Sequence, residues 1–112
     1  MKKPSSPKSE TQLPGRYQDF AKSYPSVMQA VEALGEATRA AGPLDKKTRT
    51  LVKLAIAVGA LREGAVHSHT RRALEAGCIP DELRHVGVLA ITTIGFPSTM
   101  AAMSWVEDIL RT

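Results

Sequence analysis

Two histidines lie close together in the segment REGAVHSHTRRALEAG, residues 62–77, beside an acid and several arginines. A neutral imidazole next to guanidinium groups can hold an anionic substrate and transfer a proton. Imidazoles are also common metal ligands, but His67 and His69 are two residues apart. On a helix they point about 200° apart and cannot converge on one ion. We therefore predict no metal site from this pair.

Helical spacing places five residues of the segment on one face: Arg62, Ala65, His69, Arg72 and Ala76. The face combines one titratable ring with two guanidinium groups and small side chains. One interpretation is a site in which His69 moves a proton while the arginines hold a small anion. The alternative is a half-buried helix histidine with solvated arginines, and the residues by themselves favour this alternative.

The elements that must position this face are predicted to be helices. Apolar residues recur at helical spacing, and no alternating stretch bounded by turn residues indicates a strand, so the fold class is all-α. Asp45 is a predicted helix cap, and Gly77 and Gly95 are predicted helix ends. About six helices, packed as antiparallel hairpins, are expected over residues 17–23, 25–41, 46–61, 63–76, 80–94 and 98–110.

Composition limits the function classes that the chain can belong to. Residues 1–15 predict a disordered basic tail, and residues 16–112 predict a single domain. The first 16 residues carry four basic side chains against one acidic, while the other 96 carry 11 against 10, and aromatic residues are few. We therefore expect no nucleic-acid partner. The absence of a long apolar run predicts no membrane span, and we expect a cytoplasmic protein.

Residues 44–110 resemble the carboxymuconolactone decarboxylase family, which includes the alkylhydroperoxidase D-like (AhpD-like) proteins. The resemblance is carried by LDKKTRTLVKLAIAVGALREG, HTRRALEAGCIPDELRHV and ITTIGFPSTMAA, in that order. It implies an AhpD-like helical bundle that assembles into homo-oligomers, either trimers or hexamers. It also implies that the chain needs no metal and no organic cofactor.

The redox branch of that family uses C-x-x-C, a histidine four residues later, and a glutamate on the preceding helix. In this chain His69 takes the histidine position, Arg62 and Ala65 take the cysteine positions, and Thr50 takes the glutamate position. Without a thiolate pair the family's dithiol reduction of peroxide is not expected. The single cysteine, Cys78, also excludes a disulfide within one chain.

The decarboxylase branch fits better, through the spacing R-x-x-x-x-x-x-H of Arg62 and His69. The first hypothesis is therefore a lyase-like enzyme with these two as catalytic residues. Its substrate-binding residues for a small anionic lactone would be Arg72, Thr50 and Glu63. The alternative is a member without catalysis that serves as a binding or assembly module. A third hypothesis is an antioxidant protein that works through Cys78 between subunits.

Overall fold

The computed structural model describes residues 15–112. Within that range it has no β-strand and six helices: α1 (Gly15–Ser23), α2 (Pro25–Ala40), α3 (Lys46–Ala60), α4 (Glu63–Glu75), α5 (Pro80–Ile94) and α6 (Phe96–Leu110). The prediction of an all-α fold with six helices is confirmed. The predicted tail lies outside the described residues, except for Gly15, which begins α1.

The chain divides into two compact units, one that ends at Leu44 and one that covers residues 45–112. In the first unit α1 packs against α2, and the Tyr17 hydroxyl donates a hydrogen bond to the Glu32 carboxylate at 3.1 Å. The second unit contains α3 to α6 and every residue to which the sequence assigned chemistry. The single domain over residues 16–112 stays a prediction.

The core of the second unit is formed by apolar side chains from all four of its helices. α3 packs against α4 and α5, and α6 also packs against α4 and α5. The buried members are Leu54, Ala57, Val58, Val66, Ala73, Cys78, Leu83, Ala102 and Val106. Like α6, α3 packs against two of the other helices of the unit. Its other side is open, since Val52 and Ile56 are exposed.

Local hydrogen bonds explain where α3 begins and α4 ends. The Asp45 side chain accepts a hydrogen bond from the Thr48 amide at 2.8 Å, which caps an otherwise unpaired donor. At the end of α4, Gly77 has a φ of +97°, and the Cys78 amide reaches back to the Ala73 carbonyl at 2.9 Å. This is a Schellman turn, which requires the left-handed conformation that glycine adopts without strain.

The last helix begins two residues earlier than the sequence predicted. Ser98 was expected to open it, but α6 starts at Phe96, with Pro97 inside the first turn. Proline is well accepted there because its missing amide has no helical partner in any case. Gly95, with a φ of +91°, separates α5 from α6. No helix within residues 15–112 has both the length and the apolar character that crossing a bilayer requires.

Candidate functional site

The imidazole of His69 lies half-buried on α4 and is influenced by cations from two helices. Burial lowers the pKa of His69 first, and the positive charges of Arg72 and Lys53 lower it further. A lowered pKa favours the neutral ring, which has a nitrogen lone pair to accept a proton. Both cations that act on the ring also favour an anion beside it.

α3 packs against α4 and contributes two polar residues, Thr50 and Lys53, to the candidate site. Lys53 lies three residues after Thr50, so both side chains occupy neighbouring positions on one face. Thr50 is half-buried, and its hydroxyl donates to the Lys47 carbonyl at 2.7 Å. The same hydroxyl lies 3.6 Å from the Cys78 sulfur, so it connects the start of α3 to the turn between α4 and α5.

The surroundings of Cys78 do not favour a reactive thiol. Its exposed fraction is 4%, and it belongs to the hydrophobic core of the second unit. A buried thiol in apolar surroundings behaves as a small hydrophobic side chain, out of reach of peroxide or of a second thiol.

Arg62 and Glu63 lie at the beginning of α4, and both are exposed. Arg62 is the N-cap residue, with a φ of −107°, so it lies outside the regular helical spacing from which the face was drawn. Seven residues separate it from His69, which is about 10 Å along a helix. Among residues 15–112 no hydrogen bond or ion pair joins the two. The structure therefore groups His69 with Arg72 and Lys53, and not with Arg62.

His67 points in a different direction, towards α6. Its Nε2 atom lies 3.0 Å from the Asp108 carboxylate, and the Glu63 carboxylate is close to both groups. Sequence reasoning missed Asp108, which is 41 residues away along the chain, and it missed Lys53. Lys53 carried a usable signal, since it follows Thr50 by one helical turn. Asp108 carried none, because only the packing of α6 on α4 brings it near.

Comparison with known proteins places the chain beside a protein family, a solved structure and a sequence relative. The family model of the carboxymuconolactone decarboxylase family matches residues 25–108. An apo crystal structure of a carboxymuconolactone decarboxylase family protein from Legionella pneumophila has a TM-score of 0.74 and 28% identity, and the match covers 86% of each chain. An uncharacterized protein of Haemophilus influenzae (strain Rd) is 40% identical over 55 residues, which is 49% of either chain. The chain thus spans about half the length of that relative.

Proposed function

This chain belongs to the carboxymuconolactone decarboxylase family, and from that premise we propose that it decarboxylates a small anionic lactone with His69 as the proton-transfer residue. The observation that carries the proposal is a half-buried imidazole on which the charges of two cationic side chains act, Arg72 of α4 and Lys53 of α3. The substrate carboxylate would lie against these cations, with Thr50 as a neighbouring polar group.

The proposed reaction uses side chains only. The carbon–carbon bond to the substrate carboxylate breaks, carbon dioxide leaves, and the electron pair remains on the substrate carbon. That carbon then takes a proton, which the His69 imidazole relays from water, so the ring is unchanged after each turnover. Arg72 and Lys53 hold the carboxylated substrate and offset the negative charge that it carries.

Replacement of the imidazole tests this role. In the full-length chain, His69→Gln should lower the rate of carbon dioxide release from a carboxylated lactone by about 10²- to 10⁴-fold, which is the range that one general acid–base group contributes. His85→Gln, which changes an exposed histidine on α5, is the matched control and should keep the rate of the native chain. Equal rates in the two variants would reject the assignment of His69.

Replacement of either of two neighbouring arginines tests whether Arg72 binds the substrate. Arg72→Gln should raise KM for the lactone by about tenfold or more, because a hydrogen bond to a charged group is lost. Arg71→Gln is the control, since Arg72 and not Arg71 acts on His69. An unchanged KM in Arg72→Gln would show that the anion does not lie against α4.

A binding or assembly role without turnover is the second candidate, and the exposed position of Arg62 away from His69 favours it. Thermal stabilisation by carboxylated lactones without carbon dioxide release would support this role. The thiol-dependent antioxidant role has the burial of Cys78 against it. Peroxidase activity that survives in Cys78→Ser would eliminate it.

We also propose that the chain acts as a homo-oligomer, a trimer or a hexamer. The apolar side chains that α3 and α5 leave exposed support this, among them Ile56, Val88 and Leu89. Light scattering of the purified chain gives the mass directly, and a monomeric mass would contradict the proposal.

A further inference from the structure

Three potential metal ligands meet on the side of α4 that faces α6. Glu63 and His67 lie four residues apart, which places both side chains on one face of the helix. Asp108 approaches from α6. The ligand atoms of the three side chains, one nitrogen and two carboxylate oxygens, all lie within 4.8 Å of one another. This group does not include His69, which is on another side of α4.

The charges of this group favour a cation. Two carboxylates held this close repel each other, and a cation bound between them would offset that repulsion. Among residues 15–112, Glu63 has no ion pair of its own, and Asp108 pairs only with His67. Two carboxylates and a neutral imidazole sum to a charge of −2, which a divalent ion neutralises.

The donor atoms also indicate the class of ion. Imidazole nitrogen is a preferred ligand of first-row transition ions, whereas Mg²⁺ and Ca²⁺ select oxygen. Zinc bonds to nitrogen and oxygen are about 2.0–2.2 Å long, which puts two neighbouring ligand atoms of a tetrahedron roughly 3.3 Å apart. The 3.0 Å between His67 Nε2 and Asp108 Oδ2 is close to that separation.

We propose that Glu63, His67 and Asp108 bind a divalent first-row transition ion of the Zn²⁺ type that joins the start of α4 to the end of α6. The Asp108 side chain is 57% exposed, and Glu63 is also exposed, so an ion can enter and water can complete its coordination. This site is separate from the decarboxylation proposed for His69, and neither proposal depends on the other.

Calorimetric titration of the metal-free, full-length chain with Zn²⁺ tests the site. One ion per chain should bind, and excess Mg²⁺ should not displace it. Glu63→Gln and His67→Gln should each weaken binding by at least about tenfold, since even residues that only support metal ligands have effects of that size. His85→Gln, on an exposed histidine of α5, is the matched control and should bind as the native chain does.

Glu63→Gln is the decisive variant because it leaves the bond between His67 and Asp108 in place. If these two residues form only an ion pair, Zn²⁺ will not bind the native chain, or Glu63→Gln will bind it with unchanged affinity. Either result overturns the proposal. Thermal unfolding followed by circular dichroism identifies any variant that loses affinity because it fails to fold. Zn²⁺ should raise the Tm of the native chain and of His85→Gln by more than it raises that of Glu63→Gln.

Discussion

Two imidazoles on the same helix are placed in opposite electrostatic surroundings. Burial and the charges of Arg72 and Lys53 lower the pKa of His69, which favours its neutral ring. His67 lies against the Asp108 carboxylate, with Glu63 close by. A two-residue offset turns one ring towards cations and the other towards anions. The first arrangement favours proton transfer to a bound anion, and the second favours a bound cation.

Thr99 carries a buried hydroxyl whose lack of a hydrogen-bond partner should affect stability. Its side chain is fully buried, and its hydroxyl has no hydrogen-bond partner among residues 15–112. Thr70 is equally buried, but its hydroxyl donates to the Val66 carbonyl at 2.7 Å. Thr99→Val, which keeps the shape and removes the unpaired group, should raise the free energy of unfolding by about 1 kcal/mol. Urea unfolding of the full-length chain measures the change.

Thr70→Val serves as the control for that substitution. It removes a hydroxyl that is paired, so the free energy of unfolding should fall by about 0.5–1.5 kcal/mol. If both valine variants change the free energy of unfolding in the same direction, hydrogen bonding of the hydroxyl does not determine the effect of the substitution.

The contact between α5 and α6 depends on a residue without a side chain. A Cβ atom added to Gly87 would lie 2.6 Å from Cγ of Met103 on α6, which is closer than van der Waals contact allows. Gly87→Ala should therefore lower the free energy of unfolding by about 1–2 kcal/mol, even after the better helix propensity of alanine is included. Chemical denaturation measures this loss.

Gly59, on α3, is the matched glycine, because an added Cβ meets nothing within 4 Å. Gly59→Ala should raise stability by up to about 1 kcal/mol through helix propensity alone. A stabilising Gly87→Ala would mean that the flexible Met103 side chain moves aside without cost.

The sequence predicted helices well because their signals are local. Apolar spacing, the Asp45 cap and the glycine turn at Gly77 all act within a few residues of the chain, and the structure has each of them. The predicted start of α6 was wrong because Ser98 was taken as the residue that opens the helix. Pro97 fits the first turn, so the helix begins before the serine.

The candidate site was harder to predict because side-chain direction depends on where a helix begins. Helical spacing put Arg62 and His69 on one face, but Arg62 is the N-cap and does not follow that spacing. Lys53 and Asp108 reach α4 only through the packing of α3 and α6. The spacing after Thr50 indicated which face of α3 carries Lys53, but not which residue of α4 that face meets, and Asp108 had no such signal.

Across the second unit, carboxylates help to fix the starts of helices and the contact between α5 and α6. The Thr48 amide lowers the pKa of Asp45, and the Ile79 amide, with help from Lys47, lowers the pKa of Glu82. The hydrogen bond from the Arg84 guanidinium, 2.7 Å from Glu107, lowers the pKa of that carboxyl. The hydrogen bonds stabilise the charged form of each carboxylate. These carboxyls therefore bind a proton less tightly in the folded chain than in the unfolded chain.

The sign of the pH dependence follows from those shifts. Unfolded carboxyls titrate near about pH 4, so their stabilising contribution is complete above that pH and is lost as the pH falls through the lower folded pKa values. The urea midpoint should therefore decrease as the pH is lowered below about 4. Glu82→Gln should be less stable at neutral pH and should lose less on acidification, whereas Glu75→Gln, on an exposed carboxylate of α4, should follow the native chain. Parallel acid profiles for the native chain and Glu82→Gln would show that the bond to the Ile79 amide contributes nothing to folding.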